Sequence, residues 1–107
     1  MRLRSLVHPA ILALLTATAA QAQSPEAALA GRNLAATCAN CHGTNGQAVG
    51  GAMQPLAGMP ADRMLALLSA YRNGTAPATV MHQLTKGYSD DQLRLIASHF
   101  AAQKPRP

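Results

Sequence analysis

The chain has 107 residues with no Trp, one Phe and two Tyr, so large aromatic side chains cannot supply the burial on which a small core usually relies. It is basic overall, with 9 Lys and Arg against 4 Asp and Glu, but the positive residues are scattered singly and lack aromatic interleaving. That pattern excludes a nucleic-acid-binding arm.

The N-terminus reads as an export signal. Arg2 and Arg4 give a positive start, Leu6 to Ala20 an apolar run, and Ala20-Gln21-Ala22 an A-x-A cleavage site. The run contains Thr16 and Thr18 and falls short of the ~20 residues that cross a bilayer, so no membrane span is expected after cleavage. Residues 1–22 are therefore expected to be a cleaved signal peptide and residues 23–107 a single periplasmic domain. Without the signal the domain keeps Arg32, Arg63, Arg72, Lys86, Arg94, Lys104 and Arg106 against Glu26, Asp62, Asp90 and Asp91. Such a dispersed basic face is an ordinary solvated surface or, if the protein passes electrons, a docking face for an acidic partner.

Ser24-Pro25-Glu26 has the composition of a helix start, with Ser24 as N-cap, Pro25 at the first helical position and Glu26 at the positive end of the dipole. The alanine-rich run to Ala36 should continue that helix, and Gly31 within it offers room for another helix backbone.

The helix leads into Cys38-Ala39-Asn40-Cys41-His42. Two cysteines two residues apart followed at once by histidine form the pattern of c-type haem attachment, in which the thiols form thioethers and the imidazole becomes an axial iron ligand. The other readings fit less well. A thioredoxin-like pair needs a βαβ context, a zinc site needs more ligands than two cysteines and an adjacent histidine, and a structural disulfide leaves His42 unexplained. A covalent haem c would also supply the apolar centre that so small a chain lacks.

Gly43 to Gly51 is turn chemistry throughout and suits a loop against a cofactor edge. No GK[ST] ending supports a phosphate cradle. The following Met53-Gln54-Pro55-Leu56-Ala57-Gly58-Met59-Pro60 should be extended or turning, because residues before proline avoid the α region. Pro55 is the expected source of the carbonyl that accepts from the second nitrogen of His42, the bond that orients a ligating histidine.

Ala61 to Asn73 reads as a helix, with Pro60 at its start, Gly74 past its end and Met64, Leu67, Leu68 and Tyr71 on one stripe. Val80 to Lys86 should form one or two helical turns. Ser89 with Gln92 predicts a capping box opening a last helix whose buried stripe is Leu93, Ile96, Ala97 and Phe100. No strand pair and no repeat is evident, so the expected fold is all-α, a few helices around one cofactor.

Candidates for the iron's sixth ligand are Met53, Met59, Met64, Met81, His82 and His99. At ~3.3 Å per residue Met53 has little chain with which to round a porphyrin edge, and Met64 sits on an apolar stripe as core filler. Met59 stays possible. Met81 has ample preceding chain and is preferred, with His82 next and five-coordinate iron third.

The run Leu34 to Gly43, Pro55-Leu56-Ala57-Gly58, Val80-Met81 and Lys86-Gly87-Tyr88-Ser89-Asp90 together resemble class I c-type cytochromes of the c4 and c553 group. Within them, the chain is most similar to the cytochrome subunit of flavocytochrome c sulfide dehydrogenase. The resemblance implies a class I cytochrome c fold of three to five helices and one haem c on Cys38 and Cys41. It also implies axial ligands His42 and Met81, and helix contact near Gly31 and Phe100. It implies electron transfer from an FAD-binding flavoprotein subunit to other cytochromes or a terminal oxidase. A free shuttle between respiratory complexes is the alternative, and a ligand-binding haem enzyme or sensor a third reading.

Overall fold

The computed structural model describes residues 22–107, so the export-signal expectation lies almost wholly outside the described residues. Five α-helices follow in order: α1 Pro25–Ala35, α2 Ala39–His42, α3 Ala61–Arg72, α4 Met81–Leu84 and α5 Asp90–Ala101. Short 3-10 turns stand at Ala36–Cys38, Thr44–Gly46 and Thr85–Gly87, and the described residues contain no strand. The all-α expectation is met.

The helix starts are set locally. The Ser24 hydroxyl accepts from the Ala27 amide at 3.2 Å, with Pro25 at the first position of α1. At α5 both arms of the capping box form: Ser89 Oγ accepts from the Gln92 amide at 3.2 Å, and Gln92 Oε1 accepts from the Ser89 amide at 2.9 Å. α3 ends one residue earlier than the sequence suggested, with Gly74 at φ 75° turning the chain away.

α1 crosses α5, the most extensive helix contact in the fold. A Cβ built on Gly31 would lie 2.6 Å from the Leu95 carbonyl oxygen and 3.5 Å from His99 Cβ, so glycine lets the two backbones meet. The expected contact at Gly31 is therefore made by Leu95 and His99. Phe100, 1 % exposed, turns to the other side and packs where Gly46 meets Leu56 and Ala57. The core it anchors is small: Ala35, Met59, Met64, Leu93, Ile96, Ala97 and Phe100, with Leu34, Leu56, Leu65, Leu67, Leu68 and Tyr88 packed around it.

His99 packs edge-on to Phe100 at 5.2 Å between ring centroids, and burial, with Arg32 adding repulsion, lowers its pKa. The native state therefore binds a proton at His99 less readily than the unfolded chain does, and stability should fall as pH drops through the imidazole's ordinary range near 6.5. Denaturant midpoints taken from neutral pH to pH 5 should drop, and His99→Gln should flatten that slope. Gly31→Val should cost about 1 to 3 kcal/mol of stability, because its side chain meets backbone that cannot step aside.

Candidate functional site

The site is assembled by two segments that have little regular structure of their own. Gly43 (φ 82°) and Gly46 (φ 74°) reverse the chain directly after α2, and the Gly46 carbonyl accepts from the amides of Leu56 and Ala57 at 2.9 and 3.1 Å. The Gly58 amide donates to the Phe100 carbonyl at 2.9 Å, fastening this loop to the end of α5. Closure of the loop brings Gln54 onto His42, whose Nδ1 lies 2.6 Å from the Gln54 carbonyl oxygen. That bond makes Nδ1 the donor and leaves Nε2 with its lone pair free for a metal.

The sequence reading placed this carbonyl on Pro55, and the structure corrects it by one residue. Residue 54 precedes a proline and is held extended, so its own carbonyl is the one presented to the imidazole. The Pro55 carbonyl instead faces the Gln54 side-chain amide at 3.4 Å.

His42 and both cysteines line one cavity of about 440 Å³, together with Met81. Its walls are apolar: Leu56, Met59, Met64, Leu67, Leu68, Leu93, Ile96 and Phe100 form the floor, while Ala52, Met53, Thr79, Val80 and Leu84 also contribute. No lysine, arginine, aspartate or glutamate lines it. The volume falls in the ~300 to 1,000 Å³ range of cofactor sites. Cys38 is half-buried and Cys41 exposed, both as free thiols. Burial pushes the Cys38 thiol up, against the smaller opposing effect of hydrogen bonds from the Thr37 side chain and its own backbone.

The sixth-ligand candidates separate in space. Met53, Met59, Met64 and Met81 all line the cavity, whereas His82 and His99 do not. Met59 and Met64 are buried in the packed core. Met53 lies beside Gln54, and so beside His42. Met81 opens α4 and is half-buried. The adjoining His82 has Nδ1 buried without a hydrogen-bond partner.

Arg72 fixes the segment that carries Met81, a role its sequence position did not reveal. Its guanidinium donates to the Tyr88 carbonyl at 2.7 Å, the Thr85 carbonyl at 3.3 Å and the Asp90 carboxylate at 2.5 Å. Thr85, 2 % exposed, returns its hydroxyl to the Met81 carbonyl at 2.9 Å. The Tyr88 and Thr37 hydroxyls, 2.6 Å apart, join this arm to the turn before α2. One guanidinium thereby ties the end of α3 to residues 85–90, and a buried threonine carries that hold to Met81.

A cytochrome c family model matches residues 28–101. The chain belongs to the cytochrome c family. It is 32% identical over 80 residues to cytochrome c-554(548) of Halomonas halodenitrificans, covering 72% of this chain and 96% of that one. It is 39% identical over 67 residues to the thiosulfate dehydrogenase electron acceptor of Stutzerimonas stutzeri, covering 60% of this chain but 31% of that protein. The cytochrome subunit of sulfide dehydrogenase from Chlorobaculum tepidum is 33% identical over 70 residues, 65% of this chain and 63% of that subunit. The chain thus spans about a third and just under two thirds of these last two relatives. It is an electron-transfer cytochrome related to subunits and acceptors of sulfur-compound dehydrogenases. The haem c that the family implies fits the site, because an apolar chamber gathers two free thiols, an imidazole with an available Nε2 and a thioether.

Arg72→Ala removes three charge-assisted bonds at once and should cost on the order of 2 to 3 kcal/mol, read as a lowered denaturation midpoint.

Proposed function

We propose that residues 23–107, freed of a signal peptide cut near Ala22, form a periplasmic monohaem cytochrome. Cys38 and Cys41 would carry the thioethers, and His42 and Met81 would be the axial ligands. The observation that carries this reading is the single apolar chamber onto which all four side chains open. When bound, haem c supplies a one-electron ferric–ferrous couple. The protein's part is to hold and tune it. The Gln54 carbonyl orients His42 and strengthens its basicity. Apolar walls limit water, and a thioether ligand favours ferrous iron over what a second imidazole would give.

Met81 is preferred among the methionines on physical grounds. Met59 and Met64 are committed to the core, Met53 shares His42's own loop, and Met81 is held by a dedicated arm. Described residues include no helix long and apolar enough to cross a membrane.

In the cell the protein would accept electrons from a sulfide-oxidising, FAD-bearing dehydrogenase subunit and pass them to other cytochromes or a terminal oxidase. The relatives named for sulfide and thiosulfate dehydrogenases support that donor class. A free shuttle is the second reading, favoured by the Halomonas relative, which this chain covers almost end to end and whose name mentions no dehydrogenase. Purification from native cells separates the two: a stoichiometric FAD protein supports the subunit, and a monomer reduced only by other cytochromes supports the shuttle.

Met81→Ala should keep haem covalently attached, lower the reduction potential and let carbon monoxide bind ferrous iron. A variant that keeps the parent potential and refuses carbon monoxide would show that another residue is the ligand.

A further inference from the structure

The chain does not simply run out into solvent after α5. Gln103 is pinned twice to the end of that helix: its side-chain amide donates to the His99 carbonyl at 2.8 Å and its backbone amide to the Phe100 carbonyl at 3.1 Å. Lys104 precedes Pro105 and is kept out of the α region, which leaves its carbonyl for a partner outside the tail. The Gln47 side-chain amide donates to that carbonyl at 2.9 Å. Pro105 then lies on Gly58, where an added Cβ would stand 2.6 Å from Pro105 Cγ and 2.9 Å from its Cδ. Glycine admits the ring at that place, and proline, with its φ fixed, loses little freedom by resting there.

Gln47 and Gly58 stand on the two limbs of the loop that presents Gln54 to His42. The neck of this loop is closed from inside by the Gly46 carbonyl, which accepts from the Leu56 and Ala57 amides, and by the Gly58 amide on the Phe100 carbonyl. The tail crosses the same neck from outside. It touches one limb with Lys104 and the other with Pro105, and it is rooted on α5, against which α1 and α3 both pack. Gln47, Gly58, Gln103, Lys104 and Pro105 all lie outside the cavity lining, so these contacts stand whatever the cavity holds.

We propose that Gln103, Lys104 and Pro105 form a strap, and that Gln47 and Pro105 are positioning residues for the axial histidine. Closing the neck holds the Gln54 carbonyl on His42 Nδ1 at 2.6 Å. That bond sets the rotation of the ring and the basicity of Nε2. The strap rests on the haem reading above and adds to it the source of stiffness in the bond that orients His42. One device serves twice, since a residue held extended before a proline offers its carbonyl in both Gln54-Pro55 and Lys104-Pro105.

The test is proton exchange at His42 Nδ1, followed by NMR on ferrous holoprotein carrying isotope-labelled histidine. Exchange requires the loop to lift from the ring, so its rate reads that local opening. Gln47→Ala, and a chain ending at Gln103, should each speed it roughly two- to tenfold, the worth of one net hydrogen bond. A chain ending at Pro105 should match the parent. The amides of Ile96 and Ala97, buried in the middle of α5, should keep the parent's exchange rate in every variant, which a general loss of stability would not allow. Unchanged exchange at His42 in both Gln47→Ala and the chain ending at Gln103 would overturn the proposal. So would acceleration of the Ile96 and Ala97 amides by the same factor as His42, or a chain ending at Pro105 that exchanges as fast as one ending at Gln103. Any of these results on haem-bearing protein overturns the strap alone, whereas a parent that attaches no haem removes the haem reading itself and the strap's role with it.

Discussion

The structure depends on one close approach, that of the α1 and α5 backbones at Gly31. The chain has few large aromatic side chains with which to fill space, so it cannot build a thick core between widely spaced helices. It brings two helices nearly into backbone contact instead, and uses the face of α5 that looks away from the crossing, Leu93, Ile96 and Phe100, as the floor of a cavity. The remaining segments close the cavity by hydrogen bonds more than by packing. The Gly43 to Gly46 reversal holds the loop that presents Gln54, and Arg72 holds the arm that presents Met81.

This division explains why the cofactor side chains sit on short or irregular pieces. α2 and α4 are four residues each, too short to be stable alone, and each is secured by a longer neighbour. α2 continues from α1 through a 3-10 turn, and α4 rests on α3. The Thr37–Tyr88 hydroxyl pair links the two supports across the fold. An electron carrier gains from such bracing, because a site that shifts little between oxidation states has little reorganisation to undergo.

What could be read from the sequence was what local chemistry decides. Ser24 and the Ser89–Gln92 pair announce their helices because a cap needs only neighbours within a turn, and Gly31 stood out because a glycine inside an alanine-rich helix has little reason to be there but close packing. The five residues from Cys38 to His42 carry their chemistry in their spacing. The misses at the site were long-range. Which carbonyl meets His42 depends on how the loop closes, and Gln54 rather than Pro55 takes that position. Arg72 read only as one of the scattered positive charges, because its main acceptors are backbone carbonyls 13 and 16 residues away that no side-chain pattern marks. Phe100 was legible as buried, but its partner at the Gly46 turn was not, since that contact exists only after the loop folds back.

The central claim is that the Cys38 to His42 segment bonds a single haem within this cavity. Mass spectrometry of protein exported to an oxidising compartment with a working haem-attachment system tests it most directly. The account predicts one haem added to the chain, retained after acid–acetone extraction and mapped to a peptide containing Cys38 and Cys41, with neither thiol open to alkylation. Colourless, folded protein whose two cysteines both alkylate, or are joined to each other, would contradict it.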